Sequence, residues 1–236
     1  MNDVAIHHRG NVDLELDAAL LFYRSASGEV YATQHAARVV NDRPVLLPGV
    51  PMTLESLADF AELAARRTTY RGFVHERVVY FAPNLLAWWV PAGKRRVWFE
   101  ADGKLGNRSG ECNHPPLLFI VNKRSWSVFA LRNDERPGAA TKLYRAPYFN
   151  VWETGQICTG NVDTPDAINS DSIKPYEDAF FRSRFTHANT DRLIRRRGGA
   201  VRLWLDLLDG AEFPLHQLVD TARTVADVVN ALTEKD

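Results

Sequence analysis

The chain has 236 residues, 45% of them apolar and 25% charged, and its 29 Lys and Arg are matched by 29 Asp and Glu. Such a composition predicts a soluble globular protein with one principal core; it excludes a disordered or fibrous chain and gives no net field to draw nucleic acid or a membrane surface. Two cysteines, Cys112 and Cys158, are too few for a secreted disulfide framework and are expected as free thiols in a reducing compartment.

The first ten residues, MNDVAIHHRG, lack the basic-then-apolar order of a signal peptide, and no apolar run approaches the ~20 residues of a membrane span. A cytoplasmic location is expected. The segments ALLFYR and EVYATQ, separated by Ser25-Ala26-Ser27-Gly28, predict a β-hairpin. Pro44, Pro48, Gly49 and Pro51 then punctuate the chain before Thr53, an N-cap for LESLADFAELAARR. Leu54, Leu57, Phe60, Ala61 and Ala64 recur at three-to-four spacing, which predicts an amphipathic helix.

Next come short β-rich segments at 77–82, 85–90 and 96–101, broken by Pro83-Asn84 and Pro91-Ala92-Gly93. The polar stretch DGKLGNRSGECNH reads as a loop, and strands follow at 117–123, 126–132 and 141–147. Their links are too short for parallel crossovers. With 96–101 they are expected to form a four-strand antiparallel meander. A helix is predicted over 172–185, where Pro175 is tolerated only in the first turn. Residues 200–208 fit both a strand and a helix. From Pro214, a stripe through Leu215, Leu218, Ala222, Val225, Val229 and Leu232 predicts one continuous helix. Basic clusters at Lys94-Arg95-Arg96 and at Arg192 with Arg195-Arg196-Arg197 read as solvated faces, so nucleic-acid binding is not expected.

The stretch Thr141 to Asn161, TKLYRAPYFNVWETGQICTGN, places Cys158 eight residues after Asn150 and three after Gly155, beyond a strand that ends at Pro147. These spacings resemble the active-site loop of ubiquitin-conjugating enzymes, in which a proline-led turn, an Asn-Val-aromatic segment and a glycine precede the thioester cysteine. Trp152 keeps the aromatic position, whereas Tyr148 and Phe149 stand where the superfamily has His-Pro. Within that superfamily, RPGAATKLYRAPYFNVWETGQICTGN and LAWWVPAGKRRVWFE look like the bacterial branch called PRTRC system protein B, or prokaryotic family D.

The resemblance implies an α+β fold, with an antiparallel β-meander flanked by helices. A core over 53–190 would follow a β-hairpin extension at 1–52, and a helical segment at 191–236 would pack on that core. It also implies a plasmid or mobile-element cassette whose ThiF-like activating enzyme delivers a small ubiquitin-like protein to Cys158 as a thioester. Asn150 would serve the developing oxyanion, directly or by shaping the loop. Gly155, Pro147 and Tyr148 would set the loop's path, and no cofactor is implied. The alternative implied by the absent His-Pro is an inactive relative that keeps the fold as a binding or assembly module. A DNA-associated factor using Arg192 and Arg195 to Arg197 is a weaker third reading.

Other chemistry has little support in the residues. Cys112, His114 and Cys158 are three candidate metal ligands without paired spacing, so no metal is expected. There is no phosphate-cradling glycine loop and no Gly-x-Ser-x-Gly elbow. The plain competitor for Cys158 is a small buried hydrophobe.

Overall fold

The computed structural model describes residues 16–28, 30–41, 43–53, 73–160, 162–190 and 192–233, with Glu55, Leu57, Ala58, Phe60, Ala61 and Glu62 in addition. The chain divides into two units, Met1–Thr69 and Tyr70–Asp236. In the first, β1 (Ala18–Arg24) and β2 (Val30–Val40) form the predicted hairpin, in register from Ala18↔Ala36 to Arg24↔Val30. Gly28 closes the turn at φ +88°, a conformation open to glycine, with its N–H donating to Ser25 O at 3.0 Å. Two further strands, β3 (Arg43–Leu46) and β4 (Val50–Pro51), pair with β2. Of the prolines that read as punctuation, Pro44 and Pro51 thus lie in short strands, where a missing N–H is tolerated at an edge, and Pro48 lies in the link between them. Of the helix predicted after Thr53, the six described positions between 55 and 62 are helical. The rest of 54–67 lies outside the described residues.

The second unit is built on two sheets. In chain order its strands are β5 (Val78–Ala82), β6 (Leu85–Val90), β7 (Gly93–Glu100), β8 (Asn107–His114), β9 (Leu117–Asn122), β10 (Trp126–Ala130), β11 (Lys142–Arg145), β12 (Arg184–Phe185) and β13 (Asp220–Thr224). Six of them form an antiparallel sheet in the order β13-β11-β10-β9-β6-β5, and β12-β7-β8 form a separate sheet. The expected meander therefore needs one correction. The strand beside β9 is β6, paired from Leu85↔Asn122 to Val90↔Leu117, and β7 leaves to pair with β8. Burial explains the exchange: β6 and β9 are apolar on both faces and need cover on both, whereas β7 exposes Lys94, Arg96 and Glu100. The stretch read as a polar loop contains β8, whose Cys112 and His114 alone point fully into the core.

Three helices complete the unit. The first, α1 (Ile173–Phe181), follows a capped turn in which Asn169 Oδ1 accepts from Asp171 N and Ser172 N. Pro175 falls in its first turn, as required. The helix stops short of the predicted Phe185 because Arg184 and Phe185 pair in parallel with Trp98 and Phe99 of β7. The ambiguous segment is α2 (Gly199–Leu208), burying Ala200, Leu203, Trp204 and Leu207. The helix expected from Pro214 onward is instead a 3-10 turn at Leu215–Gln217, then β13, then α3 (Val225–Thr233). The open edge of β11 claims this segment: Lys142 pairs with Thr224 and Leu143 with Arg223, and Arg145 N donates to Val219 O at 2.9 Å. Ala222, at φ +57°, could not continue a right-handed helix.

Alternate residues of the central strands supply two cores. Leu86, Trp88, Phe119 and Val128 face α1, α2 and the second sheet. Leu85, Ala87, Leu118 and Ile120 face the other way, against Val225, Val228 and Val229 of α3. Trp88 is fully buried and donates from Nε1 to Glu177 Oε1 at 3.1 Å. The result is an α+β fold, and no helix among the described residues is long and apolar enough to cross a membrane.

Candidate active site

Strand β10 is paired by β11 only at Phe129↔Arg145 and Ala130↔Tyr144. Its other end, from Trp126 to Val128, is completed by the loop that carries Cys158. Val128 N donates to Gly155 O and Ile157 N to Trp126 O, both at 2.8 Å. The loop also folds on itself. Val151 bridges Ile157, Trp152 N donates to Gln156 O at 2.8 Å, and Cys158 N donates to Asn150 O at 2.7 Å. Residues 150–158 are therefore a tight hairpin, and the Asn150-to-Cys158 spacing is its register.

Four residues hold this hairpin. Tyr148 is fully buried, stacked on His114 and packed against Phe180 and Trp204. The Pro147 carbonyl accepts from Trp204 Nε1 at 2.8 Å. Gly155 closes the tip at φ +93°, and a Cβ there would lie 2.5 Å from the Phe129 ring. Asn150 sits at φ +61°, a left-handed conformation that asparagine tolerates better than most residues. Its carboxamide spans to the segment after α1: Nδ2 donates to Arg184 O at 2.9 Å, and Oδ1 accepts from Thr186 Oγ1 at 2.8 Å and Thr186 N at 3.2 Å. Its own N–H donates to His187 O at 2.9 Å. Of the two roles considered for Asn150, loop shaping is the one its hydrogen bonds already serve.

The two thiols differ sharply. Cys158 is exposed and Cys112 is buried, and burial pushes the Cys112 thiol up to about 12. Only a thiolate is strongly nucleophilic, so Cys112 stays inert at neutral pH. Brief treatment of the native protein with iodoacetamide is expected to label Cys158 alone, with Cys112 reacting only in denaturant. Equal labelling of both in peptide mass spectra would contradict this burial.

His114 anchors Tyr148 from the core. The Arg95 carbonyl, 3.2 Å from Nε2, can only accept, so Nε2 carries the proton and Nδ1 accepts from the Tyr148 hydroxyl at 2.5 Å. Burial, opposed in part by the Arg95 carbonyl, holds the imidazole down at about 4. Above pH ~6.5 the ring is neutral folded or unfolded and has no effect on stability. Between ~6.5 and about 4 the unfolded chain takes up a proton that the folded one refuses. Stability is therefore expected to fall on acidification through that window, by about 3 kcal/mol in full. Urea unfolding at stepped pH would show this slope, and His114→Gln would flatten it.

Around Cys158 the surface forms a small cleft of about 20 Å³, bordered by Trp126, Asn150, Thr159, Phe180 and Ser183. That is room for about one water molecule. It adjoins a hollow of about 330 Å³, which shares Trp126 and Thr159 and reaches Lys123, Asp166 and Tyr176. Of the acids downstream of Cys158, Asp166 borders this hollow, Asp163 borders neither space, and Asp191 lies outside the described residues. The contact of residues 183–187 with this loop escaped the sequence reading, which placed 183–185 in a helix. These residues lie more than thirty positions from Asn150, and nothing in their order announces the contact.

A meander that ends in a hairpin, with an exposed cysteine opposite a loop-bracing asparagine and helices after it, defines a conjugating-enzyme-like protein. A family model described as Prokaryotic E2 family D matches residues 54–221, most of the chain. The chain belongs to that family. No curated protein and no solved structure matches it.

Proposed function

We propose that Cys158 accepts a ubiquitin-like protein as a thioester, delivered in the cytoplasm by a ThiF-like activating enzyme of a plasmid or mobile-element PRTRC cassette. The observation that carries this reading is the exposed thiol at the end of a braced hairpin, in a cleft that adjoins a hollow of about 330 Å³. The Cys158 thiolate attacks the carbonyl carbon of the incoming thioester, a tetrahedral intermediate forms, and the activating enzyme's sulfur departs as thiolate. An amine then attacks the new thioester, and Cys158 sulfur leaves with the electron pair. Bracing of the hairpin by Tyr148, Pro147 and Asn150 keeps Sγ in one place, which is what positioning contributes to such a step. Incubation with the cognate activating enzyme, its ubiquitin-like protein and ATP should give an adduct that a thiol reductant removes. Its absence with competent partners would overturn the reading.

A second reading, a non-catalytic binding or assembly module, draws on two observations. The Asn150 carboxamide is already engaged with Arg184 and Thr186, and no carboxylate borders the cleft at Cys158 among the described residues. It predicts that Cys158→Ala leaves binding of the ubiquitin-like protein unchanged.

A further inference from the structure

A second site lies on another face of α1. Lys174, Glu177, Asp178 and Phe181 recur at three-to-four spacing and line a hollow of about 380 Å³, together with Arg95, Arg96 and Trp98 of β7 and with His75, Arg77 and Arg182. Ala179 and Phe180 of the same helix border the Cys158 cleft, and the two spaces share no residue.

The hollow holds five cationic side chains of Lys and Arg and two carboxylates. Both carboxylates are already engaged. Glu177 accepts from Arg77 at 2.7 Å and from Trp88 at 3.1 Å, and Asp178 from Lys174 at 2.8 Å, with Arg182 at 3.7 Å. Arg95 and Arg96 have no carboxylate partner among the described residues. The Arg95 guanidinium lies over the Phe181 ring, 4.6 Å from its centre. A guanidinium held over a ring face can still donate its N–H groups to a carboxylate, the recognition at which arginine excels.

The shape favours a chain over a small ion. The pairing of β7 with β12 covers only Trp98 and Phe99, so among the described strands Gly93–Val97 pair on the β8 side alone. An extended peptide can add to such an edge while its acidic side chains reach the arginines beside it. Nucleic acid fits less well, because the chain carries no net positive charge. We propose that this hollow binds an acidic, extended peptide segment of a partner protein. The site stands whether or not Cys158 carries an acyl group.

The test is fluorescence anisotropy with a labelled peptide of about ten residues alternating glutamate and tyrosine, and with its glutamine counterpart. The full chain is expected to bind the glutamate peptide at least about tenfold tighter than the glutamine one, since charge-assisted bonds are roughly twice as strong as neutral ones. The double variant Arg95→Gln with Arg96→Gln is expected to lose that margin at an unchanged melting temperature. If the double variant fails to fold, Arg96→Gln alone, at an exposed position, is expected to weaken binding severalfold. Equal binding of the two peptides, or no loss in the variants, would overturn the site. Displacement of the peptide by equimolar inorganic phosphate would reduce it to a simple anion site. Tighter binding of a single-stranded oligonucleotide would assign it to nucleic acid, and either result also overturns the proposal.

Discussion

Replacing Cys158 with alanine is expected to abolish the thiol-sensitive adduct with a ubiquitin-like protein completely, while the fold stays intact. The side chain is exposed, so its truncation removes little buried surface and opens no core cavity. The backbone bond from Cys158 N to Asn150 O needs no particular side chain, so the hairpin keeps its register. What disappears is the nucleophile, and in acyl-transfer enzymes loss of the nucleophile costs on the order of a millionfold in rate. The informative partner is Cys158→Ser, which offers a hydroxyl of similar size. If an adduct forms there, it is an oxygen ester that survives thiol reductant. Cys112, with its thiol buried, cannot substitute. An adduct of undiminished yield on the alanine variant, seen by denaturing electrophoresis and intact mass, would place the acyl group elsewhere.

Replacing Trp204 with alanine should have the largest effect on stability. Trp204 is fully buried, it packs on Phe99, His114 and Tyr148, and its indole N–H satisfies the Pro147 carbonyl. Truncating a buried aromatic of this kind typically costs ~3–5 kcal/mol, from lost transfer energy plus the cavity left behind. For a chain of this length that corresponds to a melting temperature lower by roughly 10 °C. The Pro147 carbonyl also loses its partner, a further ~1–3 kcal/mol if water cannot reach it. Because Pro147 leads into the hairpin, amide exchange over residues 150–158 should accelerate more than in the β6–β9 pair. Trp204→Phe helps separate the causes, since it keeps most of the burial and loses the hydrogen bond. A shift below about 1 kcal/mol for the alanine variant in urea would show that this packing is not what anchors the loop.

Where alternation or apolar runs were strong, the fold was legible. The hairpin of β1 and β2, the double-faced runs of β6 and β9, and the first turn of α1 at Pro175 all lie where the sequence predicts them. Strand β8 was not, because Asn107–His114 is polar and turns only Cys112 and His114 fully inward. Nor was β13, because apolar positions in and around it, at 215, 218, 222 and 225, imitate a helix. Its strand pairing depends on β11, about eighty residues earlier. At the site, Asn150, Gly155 and Cys158 could be read from spacing, since a hairpin register is local. The braces from His114, Trp204 and Arg184 to Thr186 could not.

The sequence by itself determined that this chain carries an antiparallel meander, a cysteine in a proline-led loop and flanking helices. Those features rest on local periodicity and short-range turn chemistry. Only the tertiary structure decided which strands are neighbours, and that Tyr148 takes a buried histidine from β8 as its partner. It also decided that Asn150 serves as a brace and that Arg95 and Arg96 line a hollow with α1 without a carboxylate partner among the described residues. The physical reason is the same in each case: these outcomes depend on burial and hydrogen bonding between segments distant in sequence, and a buried polar group takes whichever partner the packed core leaves beside it.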